Sequence, residues 1–348
     1  MNHRWAMGAL TGAAIAFTAP LIAQATPNAC FSNGYVARSS GTATCSADPG
    51  NFAFASGDGA NAEASHGTRN RALAFGTDST ARAGDNDGLG HGHGNNNSAI
   101  AIGPNTTAAA GGYIGPDSNN NRAKAINFGG ANSSASASTH NGNGNSVTAI
   151  NTSGDYSSAS AGSFFGSGNT VKATNSGGDF TQAQAQNVYG DNNTVTAANN
   201  SGDFSQAQAT STGGNDNTVT ATNNSGDFSQ AVAQNIGGDN TTAATNNGGD
   251  NSGAEAETNG QSSNAIATNT GTGTAGDAAD ANATSTGGSD NTAIATNSGS
   301  GTALANASDA GSTATATNST SGDSAAFATG GQTAIANGPC NVSNGSCP

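Results

Sequence analysis

Positive charge is scarce in this 348-residue chain. Eight Lys and Arg face 22 Asp and Glu, and no Lys or Arg follows Lys172. Such a balance argues against nucleic acid and against bare anionic lipid as partners. It leaves divalent cations, cationic partners or plain solubility as the use of the acidic groups. Aromatic residues are also few, at 5% with a single Trp, and charged residues reach only 9%. Apolar residues make up 33%, most of them Ala, beside 52 Gly. An ordinary domain is nearer ~45–50% apolar and ~25% charged. Ala buries little area, so a conventional globular core is not expected. Catalytic signatures are missing as well. There is no P-loop, nucleophile elbow, HExxH or Cys/His pair in a sensible context, and the Gly-rich runs read as turns rather than phosphate cradles. The expectation is a protein that is not an enzyme. Two structural classes remain: a disordered low-complexity chain, or a regular stack that needs little core per residue.

The one long apolar stretch lies at the N-terminus. Met1 to Arg4 is short and basic, Trp5 to Ala23 is apolar, and Ala23-Gln24-Ala25 has the A-x-A form of a cleavage site. Residues 1–25 read as a secretory signal peptide cut after Ala25. A transmembrane anchor is the competing reading, and Pro20 with the small-residue site weighs against it. Lipidation of Cys30 is a third, against which Pro27-Asn28-Ala29 makes a poor lipobox. The expected mature chain is secreted, extracellular or at the cell surface, with no membrane-spanning segment. The four cysteines agree with export. They sit near the ends, and the local pairing Cys30–Cys45 with Cys340–Cys347 is favoured among three possible ones because each partner is close in sequence. Residues 26–49 and 336–348 therefore read as disulfide caps. A metal site is the alternative, without a CxxC or His partner nearby.

Rows of 24 residues organise the middle of the chain. Asn145, Asn169, Asn193 and Asn217 align, as do Val147, Val171, Val195 and Val219. Gly154, Gly178, Gly202 and Gly226 follow, then an acidic column and an aromatic one: Tyr156, Phe180, Phe204 and Phe228. A disordered chain has no need of fixed columns, whereas a stack places each residue above its own counterpart. Each row holds two alternating runs. In "NTVTATN" (217–223) Val219 and Ala221 share one face and Thr218, Thr220 and Thr222 the other. In "FSQAQA" (204–209) Ser205, Ala207 and Ala209 oppose Phe204, Gln206 and Gln208. Period-two alternation is the strand signal. "NNSGD" and "STGGND" between the runs are turn chemistry. The fold class is thus all-β: a repetitive β-solenoid or β-roll with about 24 residues per coil over 145–335. The interior would be thin, lined by Val, Ala and Ser. A lone coil cannot offset the entropy of ordering it, so only stacking makes the sum favourable. Asn and Gln columns would add amide ladders. After residue 240 the period loosens. Asp250 comes one residue early relative to Asp227, Ala281 and Ala305 keep an offset of 24, and "SGDSAAFA" (321–328) runs three residues early. Residues 116–144 read as a polar linker or irregular coils.

Residues 50–115 carry another repeat. "ALAFGTDSTARAG" (72–84) and "AIAIGPNTTAAAG" (99–111) match almost type for type, and "NFAFASGDGANAEAS" (51–65) is a looser copy. This stretch resembles the head repeats of YadA-like trimeric adhesins, whose "SVAIG"-type units build a β-roll. That resemblance implies a β-roll, association between subunits and an outward-facing surface that binds host matrix or cells. In plan, two Gln/Asn-bearing strands per two dozen residues, the central repeat is similar to curlin repeats, which form secreted surface assemblies. The expected partners are the chain itself, by stacking or homo-oligomerisation, or extracellular and host surface components.

Some residues are candidates for chemistry. Asp155, Asp179, Asp203 and Asp227 form a column, and at the ~4.8 Å spacing of stacked strands their carboxylates repel unless a cation or turn amides satisfy them. Calcium, which takes oxygen ligands, is the one cofactor candidate. Turn capping through backbone N–H groups is the simpler use. Thr194-x-Thr196 and Thr218-x-Thr220 stack as an ice-binding face would, with Lys172 interrupting the array. His91-Gly-His93 offers two imidazoles to a transition metal, or is part of a polar loop. The expected function is that of a secreted non-enzymatic repeat protein of the cell surface or extracellular matrix, adhesin-like or assembly-forming. A calcium- or glycan-binding solenoid is the alternative.

Overall fold

Strand after strand, the chain steps back and forth between two parallel sheets. The computed structural model describes residues 28–346 except 66, 85–95, 111–119, 129–133, 141–144, 153, 155, 165–168, 190–191, 201, 214–216, 225, 238–240, 261–262, 272–279, 288–289, 299–300, 309–310, 320–322, 338–339 and 344. The expected signal peptide, residues 1–25, and the His91/His93 pair lie outside the described residues, as do Asp155 and Cys347. The strands alternate, in chain order, between a sheet of odd-numbered strands and one of even-numbered strands. The odd sheet contains β1 (Thr80–Ala81), β3 (Thr106–Ala109), β5 (Ser134–His140), β7 (Tyr156–Phe164), β9 (Phe180–Val188), β11 (Phe204–Thr212), β13 (Phe228–Ile236), β15 (Gly253–Asn259), β17 (Asp280–Thr286), β19 (Ala303–Ala307), β21 (Ser324–Ala328) and β23 (Cys340–Val342). The even sheet contains β2 (Ala99–Ala101), β4 (Arg122–Asn127), β6 (Ser146–Asn151), β8 (Thr170–Asn175), β10 (Thr194–Asn199), β12 (Thr218–Asn223), β14 (Thr241–Asn246), β16 (Asn264–Asn269), β18 (Thr292–Asn297), β20 (Thr313–Asn318) and β22 (Ala334–Asn337). The chain is therefore the all-β solenoid that its columns require. Among the described residues there is no helix, and so none long and apolar enough to cross a membrane.

Registry follows the sequence columns. Val195 pairs with Val171 on one side and Val219 on the other. Phe204 lies between Phe180 and Phe228. Inward positions carry Val, Ala, Ser and Thr, and outward positions carry Thr, Gln and the rings, so the burial pattern alternates along each strand. The largest buried side chains of the core are Val147, Val171, Val195 and Val219, followed by a series of Asn. A core this thin works because the backbone ladders run continuously from coil to coil, and side chains need only fill the gap between two closely spaced sheets.

The structure departs from the sequence reading in four places. Residues 116–144, read as a linker or irregular coils, contribute β4 and β5, regular rungs in register with β6 and β7. In "RAKAIN" the residues Ala125, Ile126 and Asn127 meet their own types in Ala149, Ile150 and Asn151, and Ala123 lies beside Val147. The strand beginning at Phe204 runs on to Thr212 and buries Ser211, so part of "STGGND" is strand rather than turn. The offset of 24 between Ala281 and Ala305 is replaced by 22: Ala281 pairs with Ala303 and Ala283 with Ala305. Finally, the 50–115 segment continues into the same two sheets, through β1–β3, β2–β4 and β3–β5. Its internal offset of 27 is kept, since Thr80 pairs with Thr107. Before β1, Ala53, Ala55, Ala60, Ala62, Ala64, Ala72 and Ala74 extend the buried Ala core, and the Ala62 N–H donates to the Thr80 carbonyl at 3.1 Å.

Coil length varies while registry does not. Thr194 to Thr218 is a step of 24, Gln230 to Gly253 of 23, Gly253 to Asp280 of 27 and Ala303 to Ser324 of 21. The strands keep their pairing, so the extra or missing residues fall between strands, where loops tolerate length change.

Candidate functional site

Buried Asn stand at both ends of β4, β6, β8, β10, β12 and β18. The backbone N–H groups of Asn145, Asn169 and Asn193 each donate at 3.0 Å to the side-chain oxygen of the Asn one coil later. At the other end, Asn223 Nδ2 donates to the Ser205 carbonyl and hydroxyl, both at 3.0 Å, and Ser205 Oγ donates to Asn223 Oδ1 at 3.2 Å. The same corner recurs with Asn175 and Ser157, Asn199 and Thr181, and Asn246 and Ser229. The sequence suggested amide ladders but treated the second Asn as a turn residue. Its recurrence one position beyond the Thr alternation, always on the inward parity, is the signal that points inside. These locks make the coils rigid supports for what the outward faces carry.

The odd sheet carries the more distinctive face. Tyr156, Phe180, Phe204 and Phe228 stack outward as one column. Successive ring centroids lie 4.9, 4.8 and 4.9 Å apart, with planes within 3–6° of parallel. Strand spacing imposes that step, because each ring sits at the same position one rung above the last. Parallel planes at that centroid distance are an offset stack, a favoured arrangement. The rings remain 44–57% exposed, showing solvent an apolar ribbon. Two residues along each strand stands a parallel amide column. Gln182 Nε2 donates to Gln206 Oε1 at 3.2 Å, and Gln206 Nε2 to Gln230 Oε1 at 3.3 Å. Between the ribbon and the amides runs an open groove of about 610 Å3, bounded by the four rings, Ser158, Gln182, Gln206 and Gln230. β7, β9, β11 and β13 contain no charged residue. The next rung ends this neutral face with Glu255 and Glu257.

The acidic column lies beside that ribbon. Asp179, Asp203 and Asp227 are exposed, each immediately before an aromatic residue. Their backbones belong to the ladder: the Phe204 N–H donates to the Asp179 carbonyl and the Phe228 N–H to the Asp203 carbonyl, both at 2.8 Å. Among the described residues, no group of three His, Cys, Asp or Glu side chains is placed to hold a metal ion. On the even sheet Thr194 and Thr196 stack on Thr218 and Thr220, but Lys172, Ala243, Ile266 and Ile294 occupy the central column too. The threonine array is therefore two rungs deep at that place. Cys30 and Cys45 form a disulfide with Cα atoms 5.6 Å apart, against the first Ala of the core. Cys340 lies in β23, paired in register with Ser324.

His140 ends β5 and stacks on Phe164 at 4.8 Å and 14°. Burial holds its imidazole below the ordinary histidine value. No motif in the sequence marks this pair; it arises because the two positions align one coil apart. Comparison with known proteins found no match among family models, curated proteins or solved structures.

Proposed function

We propose that the chain is a secreted, non-enzymatic rod of the cell surface or extracellular matrix, adhesin-like or assembly-forming. The observation that carries this reading is the outward face of β7, β9, β11 and β13: a charge-free surface with four exposed rings and a ladder of amides, on a chain of net charge −14. Exposed aromatic columns of this kind are uneconomical for solubility and belong to surfaces that meet something. The N-terminal apolar stretch with its A-x-A site and the Cys30–Cys45 bridge support an oxidising, extracellular setting. The resemblance of residues 50–115 to YadA-like heads supports adhesion, and that of the central repeat to curlin units supports assembly.

The experiment is localisation in the producing cell. Antibody should label intact cells or their matrix, external protease should remove the signal, and the recovered protein should begin at Thr26. Protein confined to the cytoplasm with residues 1–25 intact overturns the proposal. Sedimentation of the mature chain then separates the two variants of the role: a discrete oligomer supports the adhesin form, and SDS-resistant particles support the assembling form.

A further inference from the structure

We propose that the groove between the aromatic ribbon and the glutamine column binds a single strand of an extended, neutral, β-linked polysaccharide lying along the solenoid axis, one sugar per rung. This rests on the reading of the chain as an extracellular protein and names the ligand of its distinctive face.

Four features of the groove select this occupant. Its composition pairs apolar ring surface with neutral amides, which matches a ligand that alternates C–H patches with hydroxyls. In the ladder Gln182 donates to Gln206 and Gln206 donates to Gln230, so Gln206 uses one N–H and one oxygen lone pair, Gln182 one N–H and Gln230 one lone pair. An amide has two of each, so at least one donor and one acceptor stay open on each of these three rungs, and the Ser158 hydroxyl stands in their place on the fourth. The second feature is the step. Ring centroids repeat every 4.8–4.9 Å, and an extended β-linked pyranose chain advances by close to one such step per sugar. A chain with that step keeps one sugar beside each rung, alternate sugars being turned over, whereas an extended peptide, whose same-face side chains repeat every ~6.6 Å, falls out of phase with the rungs.

Charge is the third feature. The groove is neutral, but Asp179, Asp203 and Asp227 stand exposed one residue before the rings. Those carboxylates repel polyuronates and sulfated glycans, leaving a neutral chain. Size is the fourth. Four rungs of ~4.8 Å span roughly 19 Å along the solenoid axis. The face is therefore long enough for about four sugars.

Isothermal titration of the full mature chain with cello-, manno- and xylo-oligosaccharides of two to six sugars tests this. Binding of at least one series is expected, with affinity rising to about four sugars and then levelling, and with little change between low and high salt. Phe204→Ala and Gln206→Ala should each weaken binding by about tenfold, or about 1.4 kcal/mol. Thr196→Ala on the opposite sheet should leave it unchanged, and circular dichroism should show all three variants folded. No heat with any hexasaccharide overturns the inference. So does an equal loss from Thr196→Ala, binding only of charged polymers, or a concentration-dependent dimer that Phe204→Ala abolishes while no sugar binds. Cell-surface localisation is measured separately, so failure here leaves the surface-rod reading standing.

Discussion

Asn223→Ala is the sharpest test of how so thin a core holds. Asn223 is fully buried and shares three hydrogen bonds with Ser205, at 3.0, 3.0 and 3.2 Å. A typical internal hydrogen bond contributes roughly 0.5–1.5 kcal/mol net, so three of them amount to roughly 1.5–4.5 kcal/mol. Truncation also leaves the space of a carboxamide among small neighbours, which adds to the loss. We expect Asn223→Ala to destabilise by about 3 kcal/mol. Ser205→Ala removes only the hydroxyl and two of the three bonds, and should cost about 1–2 kcal/mol. The double variant should cost less than the sum by about 1–2 kcal/mol, because the first change already breaks what the second would break. Urea denaturation followed by circular dichroism gives the global values. Hydrogen exchange of β11, β12 and β13 shows whether the loss is local, as expected for a stack with nearest-neighbour coupling. A cost for Asn223→Ala under 0.5 kcal/mol, or strict additivity in the cycle, would refute the claim that buried amides lock the corners.

Three further outcomes follow from the geometry. Gly226→Ala should destabilise by about 2 kcal/mol or more in thermal denaturation, because Gly226 has φ of +105° and a Cβ there would lie 1.8 Å from the Gly202 carbonyl oxygen; a neutral result would show that this corner can open freely. The His140 imidazole is held below its ordinary value by burial, so folding favours its neutral form. That contribution is complete above the unfolded value of ~6.5 and is lost as pH falls through the lower folded value; the denaturation midpoint should drop across that window in the wild type, and the drop should shrink in His140→Gln. Exposed like charges in register destabilise by about 0.2–1 kcal/mol, so Asp203→Asn should stabilise by a few tenths of a kcal/mol at low salt and less at high salt. Calcium that raised the wild-type midpoint but not that of Asp203→Asn would instead show the column to be a cation site.

The sequence by itself determined that this chain stacks, where most of its side chains point and which residues share a column. A solenoid repeats one environment per rung, so the same residue types must return at the same positions, and Val171, Val195 and Val219 do so with no reference to anything distant. Period-two alternation then separates Val219 and Ala221 from Thr218 and Thr220 by parity alone. Tertiary structure decided the rest, because it depends on neighbours the sequence does not place side by side. Asn serves equally in turns and in buried ladders, so Asn199 and Asn223 show their role only once Thr181 and Ser205 lie opposite. The rung formed by β4 and β5, by contrast, keeps the 24-residue offset in its residue types, with Ala125, Ile126 and Asn127 against Ala149, Ile150 and Asn151 and "SASA" (134–137) against 158–161, so it is legible in the sequence although the segment reads as polar linker. Late coils change length between strands, so the 22-residue step from Ala281 to Ala303 is set by which pairing keeps both sheets continuous. The groove, too, exists only in the stack: alternation puts Phe204 and Gln206 on one face, but rings in parallel contact beside linked amides require the rungs above and below.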